Sequence, residues 1–278
     1  MKISRIYAAF FSPTGGTQKI TETLAETMGR QLNLEVCHLD LTLPAARQQV
    51  YSFQEEDLLL LGVPVYAGRI PNKILPDLEK CIQGSGRTPV IPVTVYGNRD
   101  YAEALRELCL LAESNGCISI AAAALVARHA FSRTLGQGRP DAEDLAQLRE
   151  FAATAATAIA EAKEPMAIPL DRERPIGPYY TPLKMDGTPA RFLKAKPLTK
   201  EELCNQCGLC AKACPMGSIS REDCREVTGV CIKCQACVRK CPTQAKYFAD
   251  PDFLSHVEML ESNYVRRKEG TFYYPLMR

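Results

Sequence analysis

Apolar positions in the first 165 residues switch repeatedly between two spacings. Ile3 to Phe11 is a compact apolar run, read as a strand. From Thr17 to Leu32 the apolar residues Ile20, Leu24 and Met28 fall four apart, the spacing of a helix face. Leu34 to Leu39 predicts a second strand, and Leu58 to Val65 is continuous enough for a strand buried on both faces. Ile74, Leu75, Leu78 and Ile82 suggest a short helix whose start Pro76 limits. Val90 to Tyr96 reads as a strand, although Pro92 sits badly in a central one. Ala104, Leu105, Leu108 and Ala112 mark a helix, and Ile118 to Val126 a fifth strand. Asp141 is placed to cap a last helix through Leu145, Leu148, Ala152, Ala155 and Ile159. Five strands alternating with helices predict an α/β, doubly wound parallel sheet covered on both faces. The connection Thr42 to Asp57 has the weakest helical pattern.

The alternation stops at a proline-dense stretch. Pro165 to Pro197 holds seven prolines with Gly177 and Gly187, too many missing donors for regular structure. It reads as an extended arm packing across two domains. The expected division is 1–164, an arm at 165–197, a cysteine-rich domain at 198–250, and a helical tail at 251–278 carrying Phe253, Leu254, Val257, Leu260 and Tyr264 on one face.

Composition narrows the function. Of 278 residues, 46% are hydrophobic and 24% charged, as in an ordinary globular protein. The net charge of +2 predicts no nucleic-acid partner. The longest apolar run, Ile118 to Ala127, is about half a membrane span. No cleavable leader is evident at the N-terminus, which predicts a cytoplasmic protein. Thirteen cysteines, an odd number, argue for metal ligation in a reducing compartment over a disulfide framework.

Nine of the thirteen lie between Cys204 and Cys241. The run Cys204-x2-Cys207-x2-Cys210-x3-Cys214-Pro215 recurs as Cys231-x2-Cys234-x2-Cys237-x3-Cys241-Pro242. This C-x2-C-x2-C-x3-C-P spacing is the ferredoxin signature: three thiolates wrap one iron–sulfur cubane and the fourth reaches the other. Cluster I is expected on Cys204, Cys207, Cys210 and Cys241, and cluster II on Cys231, Cys234, Cys237 and Cys214. A pair of zinc sites is the alternative, for which a third Cys at this spacing is unusual. Cys224 fits neither run and reads as a spare thiol; Cys37, Cys81, Cys109 and Cys117 read as core. The region Leu198 to Ala249 resembles the two-cluster bacterial-type ferredoxins, a small α+β fold, with Met216 to Val230 as an insertion.

Three loops of the first domain point to a second cofactor. Phe10-Phe11-Ser12-Pro13-Thr14-Gly15-Gly16-Thr17 places hydroxyls and bare backbone before a helix N-terminus, as a phosphate requires, with a plain turn as the alternative. The strand ends Pro64-Val65-Tyr66-Ala67-Gly68-Arg69 and Tyr96-Gly97-Asn98-Arg99-Asp100-Tyr101 come to the same sheet edge. Each offers a Tyr and a Gly, suited to a planar ring, although either Tyr could equally pack at the edge. Residues Lys2 to Glu164 resemble flavodoxins, which implies strand order 2-1-3-4-5 and FMN. The resemblance makes Ser12, Thr14, Gly15, Gly16 and Thr17 the phosphate loop. It puts Pro64, Val65, Tyr66, Ala67 and Gly68, with Tyr96, Gly97, Asn98 and Tyr101, around the ring, Tyr66 and Tyr101 flanking it. Flavodoxins are acidic there, whereas Arg69 and Arg99 occupy these loops, either as surface charge or as flavin contacts. His129, after the fifth strand, reads as structural.

The order of the two domains resembles the flavodoxin–ferredoxin fusion proteins of anaerobes. That resemblance implies electron transfer between two [4Fe–4S] clusters and FMN, converting one- and two-electron steps, with redox proteins as partners. The alternative is an FMN-dependent reductase of a small acceptor near Arg69, Arg99 and His129. No substrate signature stands out, which favours the carrier. Oligomeric state is not legible.

Overall fold

The computed structural model describes residues 1–276. Strand β1 (Arg5–Phe10) leads into helix α1 (Gly16–Leu32), β2 (Val36–Asp40), one helical turn α2 (Pro44–Arg47), β3 (Tyr51–Phe53) and β4 (Asp57–Pro64). There follow α3 (Leu75–Cys81), β5 (Ile82–Gly84), β6 (Thr88–Tyr96), α4 (Ala104–Ser114), β7 (Cys117–Ser119), β8 (Ala122–Val126) and α5 (Ala142–Glu161). Beyond the arm lie β9 (Leu198–Thr199), α6 (Leu209–Lys212), α7 (Ala236–Arg239), β10 (Lys246–Tyr247), α8 (Pro251–Asn263) and β11 (Thr271–Tyr273).

The main sheet has seven strands, in the order β11-β8-β6-β4-β1-β2 with β7 also beside β6. Every pairing in it is parallel except β11 on β8. Side chains alternate across it. Ile6 and Ala8 of β1 join Leu58 and Leu60 of β4 on the face covered by α1 and α5. Ala9, Phe11, Leu59, Leu61 and Val63 face α3 and α4. The capping box of Asp141 with Asp144 opens α5, as its sequence predicts.

The sheet departs from a simple five-stranded one in three places. The fifth strand is broken into β7 and β8: Ser119 O accepts the N–H of Ile168 from the proline-rich arm, at 2.8 Å. Pro92 faces this interruption, since β7 pairs up to Val90 and β8 begins at Val93, so its missing donor falls between the two ladders. The Thr42–Asp57 connection is α2 followed by β3, and β3 pairs with β5 in a small separate sheet. The tail is the helix α8, capped by Asp250, and then β11, which returns to the edge of the main sheet.

The proline-rich arm is pinned along its length. The Arg106 guanidinium donates to the carbonyls of Asp171 (3.1 Å), Arg174 (2.6 Å) and Pro175 (2.9 Å). Tyr180 N–H donates to Ala67 O at 2.8 Å, and Phe192 packs against Phe253 of α8. Among the described residues no helix is long and apolar enough to cross a membrane.

Candidate functional site

The two cysteine runs fold alike. Gln206 and Lys233 have φ of 54° and 56°, Gly208 and Gln235 have 70° and 65°, and Gly217 and Gln244 have 60° and 56°, at equivalent places in the two copies. Left-handed residues on a tight loop turn backbone N–H groups inward, making a concavity for negative charge. The N–H of Ser218 accordingly meets Cys214 Sγ at 3.3 Å, and its counterpart Ala245 meets Cys241 Sγ at 3.2 Å. The short helices α6 and α7 also occupy equivalent positions, each beginning two residues after the second cysteine of its run.

The thiols sort into two cavities. Cys214, Cys231, Cys234 and Cys237 line one of ≈ 360 Å³. Cys204, Cys207, Cys210 and Cys241 line the other, of ≈ 280 Å³. The fourth cysteine of each run therefore serves the other run's cavity. All thirteen cysteines are free thiols, and Cys207 is the exposed member of the eight. Burial pushes Cys237 up to about 12 and Cys210 to about 11, and raises Cys231 and Cys234. At Cys241 burial also opposes ionisation, but the Thr243 hydroxyl and backbone N–H groups outweigh it and lower the thiol. The charge of a bound metal would favour the thiolate form at each of them. Cys224, set aside in the sequence as a spare thiol, is buried and lines the second cavity with the four motif cysteines. Its position outside both repeats hid it.

The three loops lie beyond the carboxyl ends of β1, β4 and β6. Between β1 and β4 the sheet reverses its order of winding, which opens a crevice. Gly15, at φ 88°, begins α1 with no side-chain cap and no acidic residue in the first turn. Nothing lies within 4 Å of where a Cβ on Gly15 would stand. Ser12 is buried and structural: its Oγ accepts from Gln18 N and its N–H donates to Thr42 Oγ1, both at 2.9 Å. Thr14 is exposed and Thr17 buried. Pro64 and Val65 close β4, Val65 N–H donating to Val95 O at 2.8 Å. Tyr66 and Arg69 then exchange backbone hydrogen bonds across Ala67 (φ 50°) and Gly68 (φ 77°), a tight turn that lifts the Tyr66 ring from the strand.

The third loop is used differently from the flavodoxin-based expectation. The Asn98 amide donates to Tyr264 O (2.6 Å) and Arg266 O (2.9 Å), and its oxygen accepts from Lys268 N (3.0 Å). Its polar atoms are thus spent on the segment before β11. Tyr96 is buried, with its hydroxyl on Glu269 O, and Tyr101 packs against it at a tilt, ring centroids 5.5 Å apart, within the cluster around Leu105 and Ile168. The ring of Tyr101 is therefore packed at the sheet edge. Gly97 carries the imidazole of His129 on its backbone: a Cβ there would lie 2.3 Å from His129 Cδ2. Burial, with the nearby His256, Arg239 and Arg99, lowers His129 to about 3, so the ring is neutral. Arg69 is held by Glu107 (2.5 and 2.9 Å), Gly177 O (2.6 Å) and the Tyr179 ring, and Arg99 lies over Tyr180 at 4.1 Å.

The first cavity faces these loops. Arg47 is buried and donates to Pro215 O at 2.7 Å, beside Cys214, while also holding Leu41 O, Thr42 O and Asp77. From the other side Arg239, between Cys237 and Cys241, donates to His129 O (2.5 Å), Ala130 O (2.9 Å) and Ser132 O (3.0 Å). Met216 and Ile232 pack against the core of the main sheet. The Tyr66 hydroxyl is raised well above the ordinary phenol, first by burial and then by the negative charge that Cys234 and Cys231 would carry.

Comparison with known proteins follows these two halves. Residues 198–220 and 228–244 each match a 4Fe-4S binding domain family. No curated protein matches the chain. Among solved structures it is similar to a Streptococcus pneumoniae TIGR4 flavodoxin, at 19% identity and TM-score 0.34, over 54% of this chain and 94% of that one. A short-chain flavodoxin associated with a PDU bacterial microcompartment shares 16% identity at TM-score 0.35, over 55% and 95%. An azoreductase from Bacillus anthracis str. Sterne shares 14% identity at TM-score 0.35, over 55% and 99%.

Proposed function

We propose that this chain is an electron-transfer flavo-iron–sulfur protein holding two [4Fe–4S] clusters and FMN, with electrons passing between the cluster II site and the flavin inside one molecule. The seating of the first cavity on the sheet domain carries this reading: Arg47 donates to Pro215 O beside Cys214, and Met216 and Ile232 pack on the sheet core. The donor set suits the clusters: four motif thiols per cavity, with Cys224 as a fifth in the second, inward backbone N–H groups, and no carboxylate among the motif residues. The start of α1, open at Gly15 and without an acidic residue in its first turn, suits a phosphate, and the Tyr66 turn suits a flat ring beside it. Bound there, the clusters would carry single electrons and FMN one or two. Cys204, Cys207, Cys210 and Cys241 would hold cluster I, and Cys214, Cys231, Cys234 and Cys237 cluster II. Gly15, Gly16, Thr14 and Thr17 would hold the phosphate, and Pro64 to Gly68 would border the ring. Arg47 and Arg239 fix the distance between the two sites by tying both ends of the cluster II loops to the sheet.

The carrier reading is favoured over a reductase of a small acceptor, because Arg69, Arg99 and His129 are engaged with Glu107, Tyr180 and Gly97. The test is analysis of anaerobically purified protein: iron and sulfide approaching eight each with one FMN support the reading, and zinc in place of iron overturns it.

A further inference from the structure

The segment between the cysteine runs folds back as a hairpin. Ile219 bridges Val227, Ser220 N–H donates to Glu226 O at 3.1 Å, and Gly229 N–H donates to Ser218 O at 3.2 Å. Its tip is fastened over the second cavity. Lys246 Nζ donates to Thr199 Oγ1 (2.7 Å) and Arg225 O (3.4 Å), and Arg225 pairs with Asp223 at 2.8 Å. Cys224, on this tip, is 5% exposed and lines the cavity with Cys204, Cys207, Cys210 and Cys241. Cys210 Sγ reaches Cys224 O at 3.7 Å, and both residues line this same cavity. A buried thiol beside one ligand of a four-thiol cavity has a chemical use that a core cysteine such as Cys109 lacks.

We propose that Cys224 is a reserve ligand of cluster I, standing next to Cys210 and able to take the same iron. This rests on reading the four motif thiols as cluster ligands. The exchange is a ligand substitution without redox change. The iron–sulfur bond to Cys210 breaks, and Cys224 gives its proton to solvent and bonds the iron. The departing Cys210 thiolate takes up a proton, so one thiolate replaces another. The fastened hairpin presents the sulfur without a rearrangement of the fold, and the exposed neighbour Cys207 makes this the cavity where ligand loss is the greater hazard.

The test compares anaerobically reconstituted wild type, Cys210→Ala, Cys224→Ala and the double variant by iron content and by electron paramagnetic resonance of the dithionite-reduced protein. Cys224→Ala is expected to keep eight irons, and Cys210→Ala to keep close to eight with two reduced four-iron signals. The double variant is expected to fall to about four or to show a three-iron signal when oxidised. Loss in Cys210→Ala equal to that in the double variant overturns the proposal, as does loss in Cys224→Ala alone. Wild type without eight irons would instead overturn the cluster reading on which it rests.

Discussion

Arg47 and Arg239 do comparable work from opposite directions. One reaches out of the sheet domain to the backbone beside Cys214, and the other reaches out of the cysteine-rich region to the loop after β8. Neither could be singled out in the sequence, where each is one basic residue among 34. Hydrogen bonds from a charged donor are each worth about 1.5–3 kcal/mol. Arg239→Met is therefore expected to lower unfolding stability by roughly 3 kcal/mol, read from urea midpoints. It should also slow intramolecular reduction of the flavin, whereas Lys212→Met, at an exposed position of α6, should change neither. His129 adds a pH dependence. Its folded pKa of about 3 lies below the ordinary 6.5, so between these values only the unfolded chain takes up the proton. Stability is then full above about 6.5 and falls as pH drops toward 3, by at most about 1.4 kcal/mol per pH unit. His256, Arg239 and Arg99 face the ring and deepen the effect. His129→Phe should flatten the difference between unfolding midpoints at pH 7.5 and pH 5.0, and an unchanged slope would contradict a neutral buried ring.

Among elements, α1 bears most directly on the cofactor. Its first turn has no acidic residue, and the Ser12 hydroxyl takes the Gln18 N–H, so a bound anion would meet the N–H groups of Gly16 and Thr17 and the positive end of the dipole. Thr17→Val is expected to weaken FMN by about 1.5–3 kcal/mol, measured by fluorescence titration. Riboflavin should bind far more weakly than FMN, and equal affinities would remove the phosphate from this loop. The phosphate reading of this loop rests on a Ser/Thr/Gly stretch between strand and helix, a pattern that a phosphate site shares with a plain turn. The cysteine runs were legible for a stronger reason: their spacing fixes which way each thiol can point. The partners of Asn98, which are Tyr264, Arg266 and Lys268, were not legible because they are far away in sequence and carry no motif. The same gap hid β11, three residues that become a strand only against β8. The split of β7 from β8 depends in the same way on Ile168 of the arm.

At the scale of the whole molecule, the arm, the two arginines and α8 hold both halves in one pose. Electrons delivered to the clusters should reach the flavin at a rate unaffected by dilution, which stopped-flow reduction over a tenfold concentration range would check. A rate proportional to protein concentration would mean exchange between molecules. The return of β11 has a consequence for biosynthesis. The ribosome releases β1 to β8 and α5 first, then both cysteine runs, and only afterwards the strand that covers the β8 edge. Until then the nascent sheet presents an unpaired edge, the kind of surface that recruits other chains. Ending translation after Asn263 is accordingly expected to leave both cofactor loops encoded but to shift the product toward aggregates on size-exclusion chromatography. Sheet closure thus comes last, after the cysteine-rich region has had its chance to load iron.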